Sequence, residues 1–182
     1  MSSFPGLRNP FPWNIPWPAA FIAEGVLSAN SPSFPSFSFN AMNSIILFVN
    51  VSGYAGTDVV SVQFNGDTAA NYWFRYLTCA QGTATVTNLE TTAATAIALG
   101  VVANKGRQVC LQAGNALAKT KVCQIMNQFG SGVTGTASTA TISGQGEWVN
   151  TTAQITSILL TTVGGTSMTT GSSYALFGYS AP

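Results

Sequence analysis

The stretch DVVSVQFNGDTAANYWFRY, Asp58 to Tyr76, decides the fold class. Val60, Val62 and Phe64 alternate with Ser61 and Gln63, the period of a strand buried on one face. Asn65-Gly66 accept positive φ at little cost and Asp67 can close a turn through its own carboxylate, so a hairpin is expected here. Beyond it, Tyr72, Phe74 and Tyr76 alternate with Trp73 and Arg75, sending one set of rings toward a core and the other outward. Asn65, Asp67 and Asn71 could offer oxygen ligands to calcium, but a single carboxylate without EF-hand spacing makes a structural turn the better reading.

The same texture extends on both sides. From residue 36 onward, short β-like runs recur at 36–40, 43–51, 58–65, 71–78, 83–90, 95–102, 107–114, 120–129, 133–143, 146–150, 155–163 and 172–180, punctuated by Gly, Asn, Asp and Ser. Turn signals about every 8–12 positions predict an all-β fold, an antiparallel jelly-roll-like β-sandwich over residues 36–182. GNALAKTK, residues 114–121, has helical composition but is too short to change the class. Residues 1–35 read differently. Seven prolines, at 5, 10, 12, 16, 18, 32 and 35, forbid a long helix and break any sheet ladder, which predicts an extended N-terminal arm. Phe4, Phe11, Trp13, Trp17 and Phe21 lie among them and are expected to bury their rings, on a neighbouring subunit in preference to the chain's own sandwich. Within the arm, residues 19–28 fit either a helical turn or a strand.

Composition narrows the chemistry. Only 6% of the 182 residues are charged, against about 25% in ordinary domains, and the net charge is +1. Such a chain has no steering field and little colloidal repulsion, which suits a protein at home in an assembly. It contains no histidine, the usual general base and commonest metal ligand. The five carboxylates, Glu24, Asp58, Asp67, Glu90 and Glu147, are too scattered to suggest a paired-carboxylate hydrolase, and no enzyme activity, cofactor or metal is expected. Cys79, Cys110 and Cys123 show neither disulfide nor zinc spacing and read as small core residues. Lys105, Arg107, Lys119 and Lys121 could form a small basic patch, but interspersed neutral residues argue against nucleic acid. The first 21 residues do not look like a secretory signal and no run suits a bilayer-spanning helix, so neither secretion nor a membrane is expected.

VSVQFNGDTAANYWFRY, followed by GEWVNTTAQITSILLTTVGGTSMTTGSSYALFGYSAP, resembles a group of β-sandwich virion structural proteins of tailed bacteriophages. The counterparts are Phe64 to Tyr72, Trp148 to Leu160, and Gly171 to Gly178, where Phe177 replaces a usual Tyr. This resemblance implies a capsid decoration, head-fibre or tail-fibre component, made in the host cytoplasm and residing in the virion. The expected partners are further copies of the chain, as a trimer, and the major capsid or other virion proteins. A receptor- or glycan-binding fibre module is the alternative, with Tyr54, Tyr72 and Trp73 as the expected contact with a host-surface glycan.

Overall fold

The computed structural model describes residues 20–80, 86–100, 103–129 and 140–179. They form twelve strands: β1 (Ala20–Val26), β2 (Phe37–Ser38), β3 (Ser44–Asp58), β4 (Val60–Phe64), β5 (Tyr72–Ala80), β6 (Val86–Ala94), β7 (Ile97–Ala98), β8 (Ala103–Gly114), β9 (Lys121–Phe129), β10 (Ala140–Trp148), β11 (Ser157–Thr162) and β12 (Ser173–Tyr179). Every pairing is antiparallel. A large sheet has eight strands in the order β1-β12-β3-β8-β9-β10-β5-β6, and a small one has four, β2-β11-β4-β7. The all-β, two-sheet expectation therefore holds at the level of a β-sandwich.

Strict alternation builds the core between the sheets. Ile45, Leu47, Val49 and Val51 of β3 turn inward, as do Val109 and Leu111 of β8, Ile125 of β9 and Leu176 of β12. Val60, Val62 and Phe64 of β4 meet them from the small sheet, with Ile158 and Leu160 of β11. Each of these side chains, fully buried, contributes roughly 1.5–3 kcal/mol.

Three local expectations change. First, Asn65-Gly66 is no hairpin: β4 lies in the small sheet and β5 in the large one, so the chain turns a corner between layers. Asn65 does take positive φ, at 55°. Its carboxamide oxygen accepts from the backbone N–H groups of Thr156 (2.8 Å) and Ser157 (3.0 Å), and its amide donates to the Gln154 carbonyl at 2.7 Å. A local pattern cannot reveal that an Asn-Gly turn is held by a segment ninety residues away. Second, residues 20–35 belong to the sandwich rather than to an arm. β1 pairs with β12, Leu27 and Phe34 are buried, and the Phe34 N–H donates to the Leu160 carbonyl at 3.0 Å. Pro32 and Pro35 fall outside the two named strands of this region, where no ladder hydrogen bond is lost. Residues 1–19, with Phe4, Phe11, Trp13 and Trp17, lie outside the described residues. Third, the run 114–121 holds no helix: residues 115–120 are the turn between β8 and β9, with Ala118 at φ 58°.

Close approach in the large sheet gives a direct test. A Cβ at Gly144 of β10 would land on the Tyr76 ring and 2.5 Å from the Arg75 carbonyl oxygen, whereas at Gly114 it would meet nothing within 4 Å. Gly144→Ala is expected to destabilise by about 2–3 kcal/mol and Gly114→Ala hardly at all, read from urea-denaturation midpoints. Equal midpoints for the two variants would show that β5 and β10 relax freely.

Candidate interaction surface

Residues in register on neighbouring strands share a face, so rows of outward side chains can be traced across the large sheet. One row runs Phe21, Phe177, Ile46, Gln112, Gln124, Gln145, Arg75, Glu90. The next runs Glu24, Ala175, Phe48, Cys110, Met126, Ser143, Leu77, Asn88. Charge appears only at the ends: Glu24 on one border, Arg75 and Glu90 on the other. Between them lie amides, hydroxyls and apolar groups. Phe21 is 56% exposed, Met126 55%, Leu77 50% and Phe48 42%.

The apolar part is continuous on the β1 side. The Phe177 ring meets Phe21 edge to face at 5.8 Å and Phe48 at 6.0 Å. Next to Phe48 a groove of about 450 Å³ is lined by Glu24, Val26, Asn50, Gln108, Ser173 and Ala175, among others. Eight strands at ~4.8 Å spacing, each about seven residues long at ~3.3 Å per residue, give the whole outer face roughly 900 Å², close to the ~800 Å² that each partner contributes to a standard interface. A centre poor in charge and a charged rim match the anatomy of protein interfaces.

On the opposite border, Trp73 is half-buried. Its indole N–H donates to Glu90 at 3.2 Å, and Arg75 approaches the same carboxylate at 4.0 Å. Both partners of that ion pair are well exposed, so it contributes at most a few tenths of a kcal/mol. The other two rings of the expected glycan contact are inside. Tyr54 is 7% exposed, and its hydroxyl accepts from the Val60 N–H at 3.1 Å while the Arg107 guanidinium lies 5.7 Å from its ring centre. Tyr72 is 1% exposed, and its hydroxyl accepts from the Phe64 N–H at 2.9 Å and donates to the Asp67 carbonyl at 3.1 Å. Burial pushes its phenol up to about 12. Correcting the expectation, a surface of Tyr54, Tyr72 and Trp73 does not exist; alternation turned Tyr72 inward, and the hydroxyl of Tyr54 pins the start of β4.

The polar corner is likewise committed to structure. Asp67 accepts from the Trp148 indole at 2.7 Å, from the Asn71 amide at 3.0 Å and from the Ala69 N–H at 2.9 Å. The Trp148 and Asn71 bonds lead in holding its carboxyl below the usual range. Trp148 completes a ring cluster with Phe64 (5.8 Å) and Tyr72 (6.4 Å). Asp58 is buried as a receptor for backbone N–H groups. Among the described residues no three His, Cys, Asp or Glu side chains gather as a metal-holding group.

Two of the four basic residues are not available for a patch. Arg107 and Lys121 are buried, and the Lys121 ammonium donates to the carbonyls of Lys119 (2.6 Å) and Asn150 (3.0 Å). Burial lowers the Lys121 pKa. Cys123 is a core residue whose thiol burial raises to about 12, and Cys110 is half-buried on the outer face.

Val26, Ile46 and Phe48 were the residues the sequence did not single out. The run SIILFV is apolar on both faces, so a two-residue period cannot tell which set turns outward. The available signal was that doubling itself, since a half-solvated antiparallel strand ordinarily alternates with polar residues. No protein-family model, curated protein or solved structure matches the chain.

Proposed function

We propose that the chain is a non-enzymatic structural protein of a tailed-bacteriophage virion, a sandwich of jelly-roll-like winding that self-associates through the outer face of its large sheet and its N-terminal residues. The observation that carries the assembly reading is the pair of rows traced above: eight strands wide, charged only at Glu24, Arg75 and Glu90, with Phe21, Phe48 and Met126 open to solvent. A soluble single chain seldom leaves a continuous ring patch such as Phe21, Phe177 and Phe48 uncovered on so weakly charged a face. The virion assignment rests on the resemblance, and two of its three motif pieces meet in space. Trp148 packs on Phe64 and Tyr72, and Asn65 holds residues 154–157, so these separated stretches form one corner of the molecule.

Glycan binding keeps only Trp73 of its three rings and is the weaker alternative. Light scattering of the purified chain is expected to give the mass of an oligomer, with a trimer the specific expectation, and antibody against the chain is expected to label intact particles. A mass of 18.9 kDa at high micromolar concentration would refute self-association. Bare particles would refute the virion assignment even if the protein oligomerises.

A further inference from the structure

We infer that the groove beside Phe48 on the outer face of the large sheet receives the N-terminal segment, residues 1–19, of a second copy of this chain. The inference rests on the assembly reading above and names its contact.

The chemistry of groove and segment is matched. Val26, Phe48 and Ala175 supply apolar walls, and Asn50 and Gln108 supply amides. The segment SSFPGLRNPFPWNIPWP interleaves five prolines with Phe4, Phe11, Trp13 and Trp17. Such sequences favour the polyproline conformation, whose backbone carbonyls have no internal partners and whose rings lie against aromatic-lined grooves. Side-chain amides along a groove are the donors those carbonyls require. Charge agrees as well: Arg8 is the single charged side chain of residues 1–19, and Glu24 is the single charged side chain lining the groove among the described residues.

Direction favours a second copy. Ala20 lies opposite Gly178 and Val26 opposite Ser173, and the groove is at the Val26 end of β1. β1 therefore runs toward the groove, and Ala20, to which the segment is joined, is at the end of the strand away from it. Pro16 and Pro18 disfavour the α region at Ile15 and Trp17, which opposes an immediate reversal. Reaching a neighbour needs no reversal, and nineteen residues at ~3.1 Å each extend to roughly 60 Å.

The test uses full-length chains and sedimentation velocity. Glu24→Arg and Val26→Lys alter the groove at exposed positions, and Trp13→Ser/Trp17→Ser disables the segment. Each is expected to weaken self-association by about 30-fold or more. Mixing Val26→Lys with Trp13→Ser/Trp17→Ser is expected to restore a complex that neither forms alone, because the intact segment of one meets the intact groove of the other. Glu24→Arg combined with Arg8→Glu is expected to recover association. If the groove variants assemble like wild type while the tryptophan variant does not, the groove assignment falls and the assembly reading stands. A mixture that stays dissociated would also overturn the assignment, placing the segment on its own copy. A single-chain wild type would remove the assembly reading itself. Unchanged circular dichroism of each variant ensures that lost association is not lost folding.

Discussion

Asn115→Ala is expected to melt roughly 10 °C or more below wild type, the largest effect of any single polar substitution in this molecule. The Asn115 side chain is completely buried at the β8–β9 turn. Its amide donates to the Met42 carbonyl at 2.8 Å and the Ile155 carbonyl at 2.9 Å, and its oxygen accepts from the Ile155 N–H. Its backbone adds a bond to the Asn43 carbonyl at 2.8 Å and accepts from the Gln154 side chain at 2.9 Å. Three distant stretches, the approach to β3, the β8–β9 turn and the run before β11, are tied at this residue. Alanine orphans three backbone groups, at about 1–3 kcal/mol each, and a total near 4 kcal/mol corresponds to roughly 2–4 °C per kcal/mol in a chain of this size. Asn115→Asp serves as a stringent control, since it keeps the acceptor but loses both donated bonds and buries a charge. Differential scanning calorimetry that found either variant within 2 °C of wild type would show that water replaces the amide.

Asp58→Ala is the second, with an expected loss of about 3–4 kcal/mol at neutral pH. The carboxylate is 2% exposed and ends β3. It accepts from the N–H groups of Val59 (2.7 Å), Gly164 (2.9 Å) and Thr166 (2.8 Å), fastening the β11–β12 turn to the sheet. Burial alone would raise its pKa, but the bonds from Gly164, Val59 and Thr166 outweigh it and hold the group below its ordinary 3.8. A carboxyl depressed by folding stabilises the folded state above its unfolded pKa, and that contribution is lost as pH falls through the folded value. Wild type should therefore lose stability below about pH 4, and Asp58→Asn should flatten that slope while starting from a lower plateau. Parallel urea midpoints from pH 7 down to pH 3 for the two proteins would contradict the assignment.

What was legible in the sequence follows from the range of the interactions involved. Val60, Val62 and Phe64 announced their strand because burial on one face is a local pattern. That Tyr72, Phe74 and Tyr76 share a face was legible in the same way, but which face was not: Tyr72 was expected on the surface and is buried. Partition into eight and four strands was not legible, because it depends on which distant strands pair: β3 finds β8 and β12, and β4 finds β11. The Asn65-Gly66 corner was misread for the same reason. Its backbone suits a hairpin, but its side chain answers to residues 154–157. Residues 20–35 were read as part of an arm because Pro32 and Pro35 look like ladder breakers, although Pro35 follows a buried Phe34 that ties the region to β11. Of the candidate surface, Phe21 was singled out and is exposed, whereas Phe48 was hidden in a run whose two faces are equally apolar and Val26 in one that fitted a helical turn as well as a strand.

The position of β12 between β1 and β3 has a consequence for biosynthesis. The last described strand fills a slot flanked by the first and third, and more than a hundred residues separate Asp58 from Ser173. At ~5–20 residues per second, a ribosome leaves that slot open for on the order of 10 s, during which two strand edges have no permanent neighbour. Nascent chains on one message are then close enough to lend each other the missing strand, and slowed translation is expected to raise the fraction of mispaired chains.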